Sequence, residues 1–330
     1  MRRSTANPIL TRLDIPDLSP HVVDVSSVFN PGAIRVDDRY LLLLRVQTRG
    51  RETVLMVAES TDGERFSVRP GVVRIEGIEA LNQTLYHIYD PRLTRIDETI
   101  YIMFAADTDD GCRLGVARTE DFERFELVGF GGDGETRNGV LFPEQFNGRF
   151  LRLERPNRVQ LAGGVTTGAE IVLAESTDLV NWRTLGPVMA GRLHYWDELI
   201  GAGPPPVKTR AGWLQVYHGI ATHFASANIY QAGVVLLDLA EPRRVLARGR
   251  DNILEPRTSY ELTGQVPNVV FPSGMIVDEY DKEGYAKPES LVRVYYGAAD
   301  TAVALATTTI EDLLDACALQ GLSPGAGTDT

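Results

Sequence analysis

Several short segments of this chain set charged, amide and imidazole groups beside glycine and proline at the ends of apolar runs, where chemistry can be staged on a rigid frame. In the first half they are Phe29-Asn30-Pro31-Gly32, Arg45 directly after four leucines, Tyr89-Asp90-Pro91-Arg92, Arg137-Asn138-Gly139 with Leu141-Phe142-Pro143-Glu144, and Arg155-Pro156-Asn157. In the second half they are Trp196-Asp197-Glu198-Leu199 running into Gly201-Ala202-Gly203-Pro204-Pro205, then Tyr217-His218-Gly219, Phe271-Pro272-Ser273-Gly274 and Tyr296-Gly297-Ala298-Ala299-Asp300. A carboxyl such as that of Asp90 can hand a proton to a leaving oxygen, and a guanidinium matches the oxygens of a phosphate with a planar fork. Taken singly, each has a plainer reading. Aspartate before proline forms turns, an arginine usually ends in a surface ion pair, and His218 sits on an apolar strand as a core histidine would. Arg45 is more pointed, because after the leucines its head falls where a strand leaves the core.

Composition narrows the partners. The 330 residues carry 33 Lys and Arg against 45 Asp and Glu, a formal net charge of −12. Such a surface repels phosphate backbones and anionic lipid, so neither nucleic acid nor a membrane is expected as a partner, and an anionic substrate needs a local basic pocket. Cys112 and Cys317 are too few for a disulfide framework. His21, His87, His194, His218 and His223 show no zinc spacing, and Asp107-Thr108-Asp109-Asp110-Gly111 reads as an acidic hairpin turn, lacking the rest of a calcium loop. No metal or other cofactor is expected. The N-terminal Met1-Arg2-Arg3 is not followed by an apolar run, and no stretch has bilayer-spanning length, which together give a cytoplasmic expectation.

The elements that must position these groups are short and β-branched. Runs near 40–46, 99–105, 149–153, 213–217 and 291–296 have strand length and are bounded by Gly, Asp, Asn or Pro. One helix is expected, over 309–319, with Thr309 as its cap. A motif recurs: Val57-Ala58-Glu59-Ser60-Thr61-Asp62, Val116-Ala117-Arg118-Thr119-Glu120-Asp121 and Leu173-Ala174-Glu175-Ser176-Thr177-Asp178, each followed by an aromatic, Phe66, Phe125 or Trp182. Weaker copies lie in 234–245 and 304–314. A strand, a Ser/Thr-x-Asp turn and a strand opened by an aromatic, repeated at nearly constant spacing, predict a five-bladed β-propeller over residues 1–330 as one unit. A pair of β-sandwiches would give many short strands but not this period.

The segments named first resemble, in order and over most of the chain from about Asn30 to Asp300, those of glycoside hydrolase family 130, the mannoside phosphorylases and related β-mannosidases. The resemblance rests on the Asp-Pro-Arg, Leu-Phe-Pro, Gly-x-Gly-x-Pro-Pro and Tyr-His-Gly motifs together, and it implies the same five-bladed propeller. It implies an inverting reaction in which Asp90 is the acid, protonating the glycosidic oxygen through a mannose hydroxyl, while inorganic phosphate attacks the anomeric carbon to give α-mannose 1-phosphate. The substrate would be a β-1,2- or β-1,4-linked mannose disaccharide or similar β-mannoside. Asn30, Arg45 and Asp300 match sugar-binding positions, Arg137, Arg155 and His218 match phosphate-binding positions, and Tyr230 is a further candidate contact to phosphate. Self-association is a reasonable expectation from the same resemblance.

Two departures keep other readings open. Many of the phosphorylases carry a lysine where this chain has Leu199, preceded by Asp197 and Glu198, and a histidine where it has Glu154. Added acid weakens the attraction for a dianion, and Glu198 or Glu154 could then serve a β-mannosidase as the base that activates water. Retention of Arg137, Arg155 and His218 favours phosphate, because such a cation cluster has no evident task in activating water. A non-catalytic carbohydrate-binding propeller, with Tyr86, Tyr195, Trp196 or Trp213 stacking on sugar rings, is the remaining alternative.

Overall fold

In a computed structural model, which describes residues 1–318 apart from 21, 133, 158, 162, 163, 167 and 224–226, the short strands gather into five larger sheets in chain order, antiparallel but for one edge pairing, with Val159–Leu161 and Gly164–Thr166 paired apart from them. The first sheet holds Val25–Val36, Arg39–Thr48, Thr53–Ser60 and Ser67–Val68. The second holds Leu85–Ile96, Thr99–Thr108, Gly111–Thr119 and Phe125–Phe130, with Ile75–Glu76 added in parallel at its edge. The third holds Thr136–Leu141, Phe150–Pro156, Glu170–Ser176 and Arg183–Ala190. In the fourth, Leu199–Ala202 and Val207–Thr209 share Gly212–Ala221 as partner, followed by Ile229–Leu237 and Val245–Arg248. The fifth holds Val270–Val277, Leu291–Ala298 and Ala302–Thr309.

What makes these sheets blades of one propeller is the distribution of the core. Buried apolar clusters lie between the first and second sheets, the second and third, the third and fourth, the fourth and fifth, and the fifth and first. The apolar layers therefore close into a ring, with both faces of every sheet covered. Trp213, 0% exposed, packs in the layer between the third and fourth blades, its ring edge-on to Phe142 at 5.3 Å.

The repeated turn works as its chemistry predicts. Ser60 Oγ accepts the N–H groups of Asp62 and Gly63, and Asp62 Oδ1 accepts those of Glu64 and Arg65. Asp121 and Asp178 repeat the pattern in the next two blades, and Asp238 in the fourth accepts the N–H groups of Ala240 and Glu241. Those backbone donors draw the Asp62 carboxyl down to about 2. The fifth blade departs from the repeat. After Thr309 the chain turns into the helix Ile310–Ala318, with the Thr309 hydroxyl accepting the N–H of Asp312 as a cap. The outer edge of that blade is instead Arg2–Arg3, which pairs with Ala306 and Thr307. First and last blades are thus stitched by a strand too short to be read from the sequence.

Candidate active site

The first strands of the blades face the central channel, and each of the first three carries a bulge at an equivalent place. Register breaks between Phe29 and Gly32, between Tyr89 and Arg92, and between Arg137 and Val140. At each bulge one residue takes a left-handed backbone: Asn30 at φ 47°, Asp90 at 52° and Asn138 at 55°. Among side-chain-bearing residues, Asn and Asp enter this region at low cost, so the local fold favours an amide or a carboxyl here. Glycines let the bulges nest. A Cβ on Gly32 would stand 2.9 Å from the Pro91 oxygen, and one on Gly297 would overlap the Asn30 side chain at 1.9 Å.

These bulges open on a cavity of about 640 Å³, a size suited to a small ligand. Asn30, Arg45 and Gln47 of the first blade line it, with His87, Tyr89, Asp90 and Asp107 of the second and Arg137, Asn138 and Arg155 of the third. Tyr230 closes the fourth side, and Gln265, Phe271 and Asp300 the fifth. A second cavity of about 470 Å³, walled by the stretches of the inner strands beyond the bulges, marks the other mouth of the channel; Tyr280, Glu283 and Gly284 border that mouth.

Asp90 is held from several sides. Its Oδ1 accepts Asn30 Nδ2 at 2.9 Å and Arg45 Nη1 at 2.8 Å, with the Asp90 side chain 12% exposed. The Arg45 guanidinium is itself wedged between the rings of Phe29, at 4.4 Å, and Tyr89, at 4.8 Å. Burial pushes the Asp90 carboxyl up, but Arg45, Arg92 and the Asn30 amide outweigh it and leave the group below its ordinary range. Asp300 goes the other way. Burial raises it to about 6, Arg45 opposing and Asp90 reinforcing.

Arg137 and Arg155 form the third-blade wall. Neither makes an ion pair with a carboxylate among the described residues, and the Nε of each is buried without a hydrogen-bond partner there. Burial and the neighbouring Arg137 together lower Arg155 to about 10. Tyr230 stands beside Arg155 and Asp300. His218 lies one layer behind the cavity, 0% exposed, against Phe271 at 4.5 Å and Tyr230 at 6.2 Å. Among the described residues neither of its ring nitrogens reaches a partner at hydrogen-bond geometry, though the Ala202 backbone lies alongside, and burial with Arg155 and Arg92 nearby keeps the imidazole neutral.

The acids expected to weaken this wall do not face it. Asp197 is fully buried and is bonded to Arg192 at 2.8 Å, Arg248 at 2.6 Å and the Tyr217 hydroxyl at 2.7 Å, so its charge is met locally. Glu154 points to the opposite side of its strand from Arg155 and pairs with Arg152 at 2.5 Å, whose guanidinium covers Trp182 at 4.0 Å. Glu198 is engaged by the Thr222 hydroxyl. None of the three lines the cavity. Leu199 does pack near Arg155, since both approach Gly168. Trp196 is likewise taken up in the fold, stacked on Tyr217 at 5.8 Å.

Sequence reasoning assigned no role to Asn138, His87 or Arg92, which the structure brings to the site or directly behind it. A signal for the bulges was present: Asn30 and Asp90 stand 60 residues apart, close to the spacing of the repeated turn, each after an aromatic and before proline.

Comparison with known proteins agrees with this architecture. A family described as beta-1,4-mannooligosaccharide phosphorylase matches residues 1–319. The chain is 31% identical to a beta-1,4-mannooligosaccharide phosphorylase of Ruminococcus albus, over 95% of this chain and 89% of that one. It is 31% identical to a 1,2-beta-oligomannan phosphorylase of a Thermoanaerobacter species, over 87% and 92%. Among solved structures, beta-1,2-mannobiose phosphorylase from Listeria innocua in complex with beta-1,2-mannobiose superposes with a TM-score of 0.82 at 28% identity, covering 97% and 99% of the two chains. The chain belongs to glycoside hydrolase family 130, and its five blades are that family's propeller.

Proposed function

We propose that this protein is an inverting β-mannoside phosphorylase, taking a β-1,2- or β-1,4-linked mannose disaccharide and inorganic phosphate to α-mannose 1-phosphate and the released sugar. The observation that carries this reading is the pair Arg137, half-buried, and Arg155, buried, whose guanidiniums stand in the wall of the Asp90 cavity without an ion-paired carboxylate among the described residues and with each Nε buried and unpartnered there. Buried charge is costly unless something compensates it, and a phosphate dianion supplies what the fold leaves out. Tyr230 and Asn138, on the same cavity, add polar contacts to that anion, and His218 supports the wall from behind as a neutral ring.

In this reading Asn30, Arg45 and Asp300 hold the mannose whose anomeric carbon reacts. Arg45 leaves its bond to Asp90 for the sugar, the carboxylate takes a proton from solvent, and that proton passes through a mannose hydroxyl to the glycosidic oxygen. The C1–O bond to the leaving sugar breaks as an oxygen of phosphate bonds C1 from the opposite face. A hydrolase would need a second carboxylate placed to activate water. Glu154 and Glu198, the expected candidates, are committed elsewhere in the fold.

The test is incubation of β-1,2- and β-1,4-mannobiose with the protein, with and without inorganic phosphate. Mannose 1-phosphate formed only when phosphate is present supports the reading. Equal release of free mannose in both samples would replace it with a β-mannosidase.

A further inference from the structure

The Arg92 guanidinium crosses the channel directly behind Asp90 and is 0% exposed. Its Nε donates to the Gly203 carbonyl of the fourth blade at 2.9 Å, and its Nη1 to the carbonyls of Asp90 at 3.0 Å and Pro91 at 3.3 Å. Its face lies over the ring of Phe271, of the fifth blade, at 5.4 Å. Among the described residues no side-chain carboxylate is within ion-pair distance, and Nη2 has no partner. Burial pulls this guanidinium down to about 10, against the pull of Asp90.

A buried, unpaired cation is a poor way to fill space, since an apolar side chain would do so at less cost. What arginine adds is forked donors and a positive charge, and both are aimed at the bulge that carries Asp90. The first blade offers an internal comparison. There the carbonyl of Pro31, next to Asn30, accepts a neutral donor, Ser273 Oγ, at 2.8 Å. The bulge that presents an amide is braced by a hydroxyl, and the bulge that presents a carboxyl is braced by a guanidinium.

We propose that Arg92 is a positioning residue for the reaction, gripping the Asp90 and Pro91 carbonyls from behind the cavity and so fixing the direction in which the Asp90 carboxyl enters it. This rests on Asp90 being the acid. The groups around that carboxyl are Arg45 and Asn30 from the first blade, Arg137 from the third, Tyr230 from the fourth and Asp300 from the fifth. Arg92 follows Arg45 among the cations that keep Asp90 ionised.

The experiment compares Arg92→Met and Arg92→Lys with the parent, reading kcat, KM and the pH dependence of kcat/KM per folded molecule, with circular dichroism to count the folded fraction. Misplacing a catalytic group by about 1 Å can cost on the order of 100-fold in rate. A kcat loss of that order is expected in Arg92→Met, with KM for the mannoside within about threefold, because the sugar contacts are untouched. The pH limb that reports Asp90 should move to higher pH in Arg92→Met and stay in place in Arg92→Lys, which keeps the charge but lacks the fork. Parental kcat and parental pH limb in folded Arg92→Met would overturn the proposal. So would failure of both variants to fold, which would assign Arg92 to holding the ring of blades together. Asp90→Asn is measured alongside. If it turns over normally, the reading of Asp90 fails; if it is inactive while Arg92→Met is unaffected, only this proposal fails.

Discussion

Asp90 and Asp300 face the same guanidinium, that of Arg45, and their carboxyls are driven in opposite directions. Burial raises both, but Asp90 holds the Arg45 hydrogen bond at 2.8 Å and has Arg92 behind it, so it ends below its ordinary range. Asp300 lacks that bond and feels the Asp90 charge as well, and it rises to about 6. Two carboxyls in one cavity are thus pushed apart by their surroundings, and the Asp90 carboxyl can take up the proton it is to donate only once Arg45 has turned to the sugar.

The stability of the fold should register that division. With a raised folded-state pKa, the folded chain holds the Asp300 proton more tightly than the unfolded chain does. Asp300 therefore favours the fold in acid, and that contribution is lost as pH rises through about 6. Asp300→Asn removes a cost of on the order of 2 kcal/mol at pH 8. The variant is expected to gain in Tm at pH 8 and about half as much at pH 5, while turnover falls. The same gain at both pH values would mean that Asp300 titrates as an ordinary carboxyl.

Asp90→Asn should leave the propeller intact and remove the reaction. Asparagine accepts the left-handed backbone at φ 52° that this bulge imposes, so the substitution takes away the proton without reshaping the turn. Loss of general acid catalysis amounts to roughly 10² to 10⁴-fold. Turnover of β-mannobiose near the parental rate, in a variant with unchanged circular dichroism, would remove Asp90 from the mechanism.

Arg137 and Arg155 predict a trade between binding and stability. Arg155→Gln relieves the like-charge contact that helps lower Arg155 to about 10, so without phosphate the variant should melt no lower than the parent. With phosphate the parent should gain in Tm, as any ligand of the folded state confers, and the variant should gain little. One charge-assisted contact is worth about 1.5–3 kcal/mol, which corresponds to a rise in the KM for phosphate of roughly tenfold or more. A phosphate-dependent gain in the variant equal to that of the parent would place the anion elsewhere.

Much of this was legible in the sequence, and the gaps have physical causes. The blade count followed from the Ser/Thr-x-Asp turn, because its hydrogen bonds are local and depend on residue type alone. The fifth blade broke the pattern, because Arg2–Arg3 joins it by pairing across nearly the whole chain and two residues carry no periodicity. Asn30, Arg45, Asp90 and Asp300 do meet in one cavity with Arg137, Arg155 and Tyr230. Arg92 belongs to a motif that the sequence shows, but its task is not legible there, since nothing in a linear pattern tells a side chain entering the channel from one bracing it from behind. The acids near Leu199 and Arg155 misled for a related reason. Glu154 is next to Arg155 in sequence, but neighbours on a strand point to opposite faces.

That reversal sets the last prediction. Glu154 and Arg152 are 5% and 2% exposed and form their own ion pair beneath Trp182. Glu154→Gln strands the Arg152 charge in a buried place, a loss of about 3–5 kcal/mol, visible as a lower Tm. What folds should still produce mannose 1-phosphate with an unchanged requirement for phosphate. Glu198→Gln, which gives up only a hydroxyl contact at the rim of the fourth blade, should leave both stability and turnover near the parental values. A folded Glu154→Gln or Glu198→Gln variant that had lost its activity would return a base for water to the mechanism, and with it the mannosidase reading.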